Sequence, residues 1–391
     1  MTKDIFLLGS TGSIGNTTLN ILKRDKKNFK VKLLSTNSNV KKIYKQAVQF
    51  NVKEIVIFDK IEYLKNHKKF KAKKIKVFSS IKEVFKLKNK KSYLTINAIS
   101  GIDGLEPSLD IIKYSDNLAI ANKESIICGW KFLKKELKKN KTGFIPLDSE
   151  HFSIWSLLKN EKNLNIKKIY LTASGGPFLK FNLNKIKNIN PKFALKHPNW
   201  KMGKKISIDS ATMMNKIFEV IEAIKIFNLD SKKVDILIHP KSYVHAIVNF
   251  NNGLTKLLAH PTTMEVPIAN AIYNKHKIYK FKNSNFKYDL LNGLNFIKPD
   301  IKKFPLLSIL NFDFKNTYLE IILVSLNDAL VKKYLNYKIS YFSIHSIMIK
   351  LLKKPYFTKF YSTKPNNIND IKIMVQRVNQ YVDQYIIKWL N

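Results

Sequence analysis

Short apolar runs alternate with helical stretches over the first third of the chain. Seven runs predict strands: Ile5–Leu8, Val31–Ser35, Glu54–Phe58, Lys76–Phe78, Leu94–Ile99, Leu118–Ala121 and Gly143–Pro146. Strands that alternate with helices favour a parallel sheet covered by helices on both faces. We therefore expect an α/β fold that begins with a Rossmann-like, doubly wound domain over residues 1–148.

The pattern changes after this region. Residues 149–274 mix predicted strands with a helix near Ala211–Phe227, which predicts a central α+β catalytic domain; the strands are Lys168–Thr172, Val234–His239 and Tyr243–Phe250. Residues 275–303 are polar and low in pattern, as expected of a linker. Residues 304–391 predict a C-terminal helical bundle. From Asp370, a predicted N-cap, apolar residues recur at helical spacing and predict a core stripe: Ile371, Met374, Val375, Val378, Val382, Tyr385, Ile386 and Trp389.

Composition narrows the class of protein. The chain has 391 residues, 45% of them hydrophobic, so it can bury real cores, and no apolar run reaches the roughly 18 residues of a spanning helix. The net charge of +42 raises the alternative of a basic nucleic-acid-binding protein. Only Arg24 and Arg377 carry the guanidinium group that such recognition favours, and lysine is spread from end to end. We therefore favour a lysine-coated surface that attracts anionic substrates, with no nucleic-acid or membrane partner.

Cysteine usage and the N-terminus bear on the compartment. Cys128 is the only cysteine, which excludes an intrachain disulfide and fits a reducing cytosol. The first predicted strand starts at about Asp4 and leaves no room for a signal peptide. We expect a cytoplasmic protein.

A glycine-rich turn follows the first predicted strand. Gly9, Gly12 and Gly15 fall within seven residues, and a helical run to Lys23 follows. Glycine permits a tight turn and a close approach by a pyrophosphate, and a helix N-terminus supplies N–H groups for phosphates. The spacing is GxxGxxG rather than GxGxxG, so a plain glycine turn remains the alternative.

The end of the next predicted strand bears on the cofactor. An NAD site usually offers an acid there, whereas this chain has hydroxyls and amides over residues 35–39. Their lack of negative charge favours NADPH. Residues 99–101, at another strand end, are expected to line the nicotinamide side.

Acidic residues form two local patterns. Asp148 and Glu150 follow a strand and share a face in extended chain, while Asn215, Glu219 and Glu222 share one stripe of a helix. Converging carboxylates would hold a hard divalent ion. On pattern alone, helix capping and surface ion pairs explain the same residues equally well.

Several residues are candidates for binding an anion. Ser174-Gly175-Gly176-Pro177 follows a strand and has the composition of a backbone nest. Ser210, Asn215 and Lys216 lie at or near a helix start, and residues 197–203 suit a substrate-covering loop. A lone histidine or tryptophan is more often structural, so the clustering carries the hypothesis.

The motifs GSTGSIG, ANKES, PLDSEH, SGGPF and HPNWKMGKKISIDSATMMNK, followed by Glu219, occur in this order. Together they resemble the 1-deoxy-D-xylulose 5-phosphate reductoisomerase family over nearly the whole chain. The resemblance implies a homodimer that uses NADPH and Mg²⁺, Mn²⁺ or Co²⁺. It implies a metal-assisted retro-aldol and aldol rearrangement of 1-deoxy-D-xylulose 5-phosphate, then hydride transfer to give 2-C-methyl-D-erythritol 4-phosphate for isoprenoid synthesis by the non-mevalonate route.

The resemblance also assigns roles by position. It implies that Asp148, Glu150 and Glu219 bind the metal, with Lys123 stabilising charge on oxygen and Glu222 left outside the metal set. The implied substrate contacts are Ser149, Glu150, Ser174, His197, Trp200, Ser210, Asn215, Lys216, Glu219 and His245, with Met202 in the lid. The implied cofactor contacts are Thr11, Gly12, Ser13, Ile14, Ser38, Asn39, Asn122, Glu124 and Gly203.

The chain departs from the family pattern at three places. Residues 261–267 lose an acid and reverse a base, residues 326–328 read Leu-Asn-Asp instead of an Ala-Asn-Glu-like triplet, and Ser38 stands where a base is frequent. These departures bear on local packing, on dimer contacts and on the strength of cofactor binding.

An enzymatic alternative is an aspartate-semialdehyde-dehydrogenase-like reductase, whose glycine loop looks similar. That chemistry needs a thiol nucleophile, and only Cys128 is available. Its sequence context is that of a buried small apolar residue.

Overall fold

The computed structural model describes residues 2–86, 91–159, 161, 165–182, 186–200, 202–274, 279–281 and 288–390, without the side chains of 389 and 390. These residues contain eleven strands: β1 Lys3–Leu8, β2 Phe29–Thr36, β3 Glu54–Ile57, β4 Lys76–Phe78, β5 Leu94–Asn97, β6 Asn117–Ile120, β7 Gly143–Pro146, β8 Ile166–Ala173, β9 Val234–Ile238, β10 Val244–Phe250 and β11 Thr255–Ala259.

The helices of the described residues follow in chain order. They are α1 Ser13–Lys23, α2 Val40–Gln49, α3 Lys60–Asn66, α4 Ile81–Val84, α5 Leu105–Ile111, α6 Lys123–Asn140, α7 Ser149–Leu158, α8 Pro191–Ala194, α9 Lys204–Ala211, α10 Met214–Phe227, α11 Glu265–Tyr273, α12 Tyr288–Leu291, α13 Tyr318–Leu335, α14 Tyr341–Leu352, α15 Pro355–Thr358 and α16 Ile368–Leu390. Short 3₁₀ segments include Ile102–Gly104 and Pro305–Asn311. Among the described residues no helix is both long and apolar enough to cross a membrane.

The first seven strands form one parallel sheet in the order β4-β3-β2-β1-β5-β6-β7. All seven strands predicted from the apolar runs are present, and the strand order reverses between β1 and β5, as in doubly wound folds. The core of this sheet includes buried residues of α11, such as Ile268 and Ile272, although α11 lies far along the chain. The prediction of a Rossmann-like α/β sheet is confirmed.

The departure from the family pattern at residues 261–267 has a structural explanation next to the first sheet. The carboxylate of Glu265, at the start of α11, accepts hydrogen bonds from Arg24 Nη1 at 2.9 Å and from the Tyr279 hydroxyl at 2.6 Å. Asp25 likewise accepts from the Tyr273 hydroxyl at 2.9 Å. The acid that replaces a base therefore pairs with one of the two arginines of the chain.

A second sheet has the order β11-β10-β8-β9, with β8 and β9 parallel and the other neighbours antiparallel. Strand β11 was not predicted, because its residues are mostly half-buried or exposed and show no strong apolar alternation. The predicted helix near Ala211–Phe227 is present as α10, but it starts at Met214 rather than Ala211, because α9 ends at Ala211. Met213 between them has φ +64°, so the chain breaks there.

The C-terminal region is helical, as predicted. The stripe on α16 is buried at Ile371, Met374, Val378, Val382 and Ile386, which confirms a core role; Trp389 lies outside the described side chains. Asp370 is not the N-cap, because α16 begins at Ile368 and Asn367 Oδ1 accepts the Asp370 N–H at 3.0 Å.

A buried ion pair ties α10 to α13. Lys225 Nζ lies 2.8 Å from Glu320 Oε1, and Glu320 completes a capping box with Thr317. The residues of the second departure from the family pattern, 326–328, also have partners here. Asn327 donates to Asp209 at 2.8 Å, and Asp328 pairs with Lys205 at 3.0 Å.

Chain contacts group the residues into two compact units. One contains Met1–Ser125, Lys131–Trp155 and Thr263–Asn285, and the other contains Ile126–Trp130, Ser156–Thr262 and Phe286–Asn391. Residues 275–278 and 282–287 of the predicted linker lie outside the described residues. Further along it, Ile297 forms an antiparallel bridge with Ile238. The domain boundaries at 148, 274 and 303 stay predictions.

Candidate active site

The carboxyl ends of the parallel strands bring the candidate cofactor residues to one edge of the first sheet. Gly9 follows β1, Asn37 follows β2, and residues 99–101 lie just beyond β5. Asn122 comes shortly after β6, and Asp148 follows β7. In open α/β sheets this edge binds ligands at the point where strand order reverses, here between β1 and β5. The end of β7 lies three strand spacings from β1, roughly 14 Å.

The three glycines of the first turn meet different demands. Gly9 has φ +76°, and a Cβ there would lie 2.7 Å from the backbone of Ala98 at the end of β5. A Cβ on Gly15 would lie 2.5 Å from the carbonyl of Ser10. Gly12, by contrast, meets no atom closer than 3.6 Å and precedes the first residue of α1. Gly9 and Gly15 therefore serve the turn and the helix packing, and Gly12 leaves the backbone open to a phosphate.

Buried polar side chains hold this loop in place. The Ser10 hydroxyl donates to Gln46 Oε1 at 2.8 Å, and Gln46 Nε2 donates back to the Ser10 carbonyl at 3.0 Å. The Ser35 hydroxyl accepts the N–H of Gly9 at 2.9 Å. The hydroxyls of Thr11 and Thr36 lie 2.9 Å apart. The loop conformation is thus fixed by β2 and α2 before any ligand arrives, which lowers the entropic cost of binding.

The other candidate cofactor residues lie at helix starts. Ser13 and Ile14 open α1, and Ser38 is exposed just before Asn39, whose side chain caps α2 by accepting the Lys42 N–H at 3.1 Å. Asn122 caps α6 by accepting the Ser125 N–H at 2.9 Å, with Glu124 buried in the first turn. Gly203 is the N-cap of α9 in the second unit. Their contacts with a cofactor stay predictions.

Asp148 sits between two potential cations. Lys123 Nζ lies 2.5 Å from its Oδ2, and Oδ1 lies 2.9 Å from Nδ1 of His151. Oδ1 also accepts the Glu150 N–H at 3.2 Å, at the start of α7. Asp148 is 9% exposed and Lys123 is 7% exposed. Burial alone would raise the pKa of Asp148, but the charge and hydrogen bonds of Lys123 and His151 hold it well below its usual range. The carboxylate is therefore ionised at neutral pH.

Glu219 gains its partners from its own helix. Asn215 Nδ2 donates to Oε1 at 2.6 Å, and Lys216 Nζ pairs with Oε2. The positions four and three residues earlier lie on the same side of α10, so the helix itself orients the carboxylate. Glu219 is 1% exposed and Lys216 is 4% exposed, which makes this a buried ion pair.

Asp148, Glu150 and Glu219 each offer one oxygen, and the three oxygens lie within 4.8 Å of one another. We call this the three-carboxylate group. Glu222 is not a member of the metal-type groups found among the described residues, although it is buried on the same helix as Glu219. The Ser149 hydroxyl donates to Glu150 Oε2 at 2.5 Å.

The donor chemistry of this group fits a hard divalent cation. All three donors are carboxylate oxygens, which Mg²⁺ and Mn²⁺ prefer, and the group carries neither a histidine nitrogen nor a thiolate. Two of the three carboxylates pair with lysines, Asp148 with Lys123 and Glu219 with Lys216. Carboxylates at this distance repel one another when they are ionised, and a shared cation relieves that repulsion.

The segment after β8 forms a cradle of backbone groups. Gly175 and Gly176 have φ of +82° and +69°, and a Cβ on Gly176 would lie 2.7 Å from the carbonyl of Ser210. The Gly176 N–H donates to the Ser174 hydroxyl oxygen at 3.0 Å. The turn therefore packs directly against the end of α9, which places Ser174 near Ser210 within the second unit.

His197 is held in one tautomer. Its Nδ1 accepts the backbone N–H groups of Asn199 at 3.2 Å and Trp200 at 3.0 Å, so Nε2 carries the proton and donates to the Ser174 hydroxyl at 3.0 Å. Burial lowers the pKa of His197 to about 4. The ring is neutral at physiological pH and offers a hydrogen-bond donor without a charge.

Aromatic rings surround the next part of the candidate substrate site. The Trp200 ring lies 6.1 Å from that of His245, edge to face, and His245 stacks on His260 at 3.7 Å. Trp200 and Met202 are half-buried, while both histidines are buried. The neighbouring Asn199 side chain donates to Pro240 and Ser242, which anchors this loop on the strand connection.

Sequence reasoning did not assign a role to His151, His260 or Met213. His151 follows Asp148 by about one helical turn, a spacing from which their contact could have been predicted. His260 had no local signal, because its contact with His245 comes from strand pairing. The left-handed Met213, 2% exposed, lies beside the candidate phosphate residues; strained backbone of this kind clusters at functional sites.

Three family models match the chain. A model described as 1-deoxy-D-xylulose 5-phosphate reductoisomerase matches residues 5–129, one for its C-terminal domain matches residues 144–227, and one for a DXP reductoisomerase C-terminal domain matches residues 259–381. Proteins named 1-deoxy-D-xylulose 5-phosphate reductoisomerase are similar over their length. The one from Pelagibacter ubique is 55% identical over 97% of both chains, and that from a Sulfurihydrogenibium species is 35% identical over 95% of both.

Solved structures with the same protein name are also similar to the chain. A crystal structure of DOX-P reductoisomerase in complex with NADPH, fosmidomycin and magnesium matches with a TM-score of 0.90 and 29% identity over 99% of both chains. The Zymomonas mobilis 1-deoxy-D-xylulose 5-phosphate reductoisomerase in complex with NADPH matches with a TM-score of 0.85 and 26% identity, again over 99% of both chains.

Proposed function

The chain belongs to the 1-deoxy-D-xylulose 5-phosphate reductoisomerase family, and from that premise we propose that the three-carboxylate group is the centre of its reaction. The enzyme uses NADPH to isomerise and reduce 1-deoxy-D-xylulose 5-phosphate to 2-C-methyl-D-erythritol 4-phosphate. The observation that carries the assignment is the convergence of Asp148, Glu150 and Glu219, since oxygen donors from separate parts of the chain meet within 4.8 Å.

When bound, NADPH supplies the hydride and a divalent cation polarises the substrate's oxygens. We assign Asp148, Glu150 and Glu219 to hold that cation. Lys123, already turned toward Asp148, would stabilise negative charge that develops on a substrate oxygen. Its place at the start of α6, at the same sheet edge as the glycine loop, supports this role.

Phosphate binding is proposed for Ser174, His197, Ser210, Asn215 and Lys216. His197 contributes a neutral donor through Nε2, and the Gly175–Gly176 turn holds the Ser174 hydroxyl through the Gly176 N–H. Lys216 supplies a positive charge, but its ammonium is shared with Glu219. The phosphate and the cation ligands are therefore linked through one lysine.

The remaining residues would enclose the substrate. Trp200, Met202 and His245 present apolar or aromatic surface, which excludes water and strengthens the electrostatic contacts inside. Ser149, bonded to Glu150, would orient that carboxylate and contact the substrate's oxygen-bearing end.

Neither alternative function is favoured by the comparisons. Cys128, the only thiol, is 7% exposed within α6, as expected of a small core residue rather than a nucleophile. We expect Cys128→Ala to keep its NADPH-dependent activity. Loss of all activity in that variant, with an unchanged melting temperature, would support the semialdehyde-dehydrogenase-like alternative.

The direct test is consumption of NADPH, followed at 340 nm, with 1-deoxy-D-xylulose 5-phosphate in the presence and absence of EDTA. We expect consumption that EDTA abolishes and that added Mg²⁺ or Mn²⁺ restores. Consumption untouched by EDTA would contradict the role given to the three-carboxylate group. We also propose a homodimer, on the basis of the family resemblance. The molar mass of the protein in solution, measured by light scattering, tests this proposal.

A further inference from the structure

Lys42 lies beside the glycine-rich loop and has no role in the functions described so far. It is the third residue of α2, and its Nζ donates to the carbonyl oxygen of Thr11 at 2.8 Å. Side chains in a helix lean toward its N-terminus, so the ammonium lies over the first turn of α2. Lys42 is half-buried, whereas its neighbour Lys41 is exposed.

The ammonium contacts the glycine-rich loop at Thr11, whose hydroxyl lies next to Thr36 at the end of β2. In a Rossmann-like sheet the ribose 2′ position lies at the end of the second strand, between the glycine loop and the residues that follow β2. Here those residues are Asn37, Ser38 and Asn39, all exposed. The acid that would bind a free 2′-hydroxyl is missing from this stretch. The nearby Asp59 is already engaged, because its carboxylate caps α3 by accepting the Glu62 N–H at 2.8 Å.

The glycine-rich loop beside Lys42 is also held in place by a hydrogen bond. The Thr11 hydroxyl lies 2.9 Å from the Thr36 hydroxyl, which ties the loop to β2 next to Lys42. An ammonium has three donors, and one of them reaches the Thr11 carbonyl. Asn37, Ser38 and Asn39 are uncharged, so a positive charge opposite a 2′-phosphate must come from another residue.

We propose that Lys42 is the residue that recognises the 2′-phosphate of NADPH and thereby sets the preference for NADPH over NADH. This inference rests on the proposed NADPH-dependent function and names the residue on which its cofactor preference depends. Ser38 and Asn39 would add neutral hydrogen bonds, and the N-terminus of α2 would add its partial positive charge. A phosphate dianion gains most from the full charge of Lys42.

The test compares the affinities of the apoprotein for NADPH and NADH by fluorescence titration, in wild type, Lys42→Ala, Lys42→Arg and the matched control Lys41→Ala. We expect Lys42→Ala to weaken NADPH binding about tenfold and to leave NADH binding within about twofold, since loss of one charge-assisted contact is worth on the order of a factor of ten. Lys42→Arg should retain most of the preference, and Lys41→Ala should behave as wild type.

Other results would separate the explanations. Equal weakening of both dinucleotides in Lys42→Ala would show that Lys42 only supports the loop through Thr11, and would overturn the proposal. An unchanged NADPH affinity would overturn it as well. If wild type binds neither dinucleotide, the failure lies with the proposed function itself rather than with Lys42. Weakening of NADPH alone that lessens as salt is raised would confirm a charge contact.

Discussion

The Gly9–Gly15 loop and the three-carboxylate group achieve recognition in opposite ways. The loop presents main-chain groups, and its side chains serve mainly to hold its shape, as the Ser10–Gln46 pair shows. The three-carboxylate group presents charged side chains, and two of them, Asp148 and Glu219, are buried and paired with lysines. A change in the loop should therefore act through shape, and a change in the carboxylates should act through charge. Substitutions in the two regions should separate these two effects.

The largest effect is expected from Glu219→Gln. The amide keeps the size of the side chain but removes one of three negative charges, so activity should fall on the order of a thousandfold, the scale of losing one preorganised electrostatic group. NADPH binding, measured by fluorescence, should stay unchanged. Glu222→Gln is the matched control, because it is equally buried on α10 but lies outside the three-carboxylate group. Equal losses of activity in both variants, at equal melting temperatures, would contradict the distinction.

The next largest effect is expected in the loop. Gly15→Ala places a Cβ 2.5 Å from the Ser10 carbonyl, so α1 must shift, at a cost of about 1–3 kcal/mol. Its melting temperature and its NADPH affinity should both fall.

Gly12→Ala provides the comparison, because its Cβ would meet nothing closer than 3.6 Å. Its melting temperature should stay that of wild type, and its NADPH affinity should fall about tenfold as the methyl group obstructs the pyrophosphate. An unchanged affinity in Gly12→Ala would show that the phosphates do not approach the backbone at this position.

A smaller effect concerns the charge of Asp148. Its pKa is lower in the folded protein than in the unfolded chain, so its ionisation stabilises the fold above the unfolded value, about 3.9. That contribution is lost as the pH falls below this value toward the folded pKa. In metal-free protein, the free energy of unfolding should fall more steeply between pH 5 and pH 3 in wild type than in Asp148→Asn. Parallel curves from urea titrations would contradict the lowered pKa.

The smallest effect is expected from the protonation of His197. With its pKa near 4, the ring stays neutral between pH 5.5 and 8, and its donor is available throughout. The ratio of KM values between His197→Gln and wild type should therefore be constant over this range, because the titration of the substrate phosphate cancels. A ratio that changes around pH 6.5 would show that the imidazole titrates near its ordinary value.

Two ion pairs show which contacts could be predicted from the sequence and which could not. Lys216 and Glu219 are three residues apart on one helix, so their pairing follows from helical geometry, and Asn215 falls on the same stripe. Lys123 and Asp148 are 25 residues apart on different elements, and their pairing needs the parallel order of β6 and β7. The residues of the first pair formed a visible local pattern, whereas the second had none.

Local periodicity by itself determined the seven strands of the first sheet, the glycine turn after β1 and the core stripe of α16. Each of these depends on residues close in the chain, where the repeats of strands and helices apply. The tertiary structure alone decided that Glu265 pairs with Arg24 and that the chain breaks at Met213. These outcomes depend on packing between distant segments, which no periodic pattern encodes.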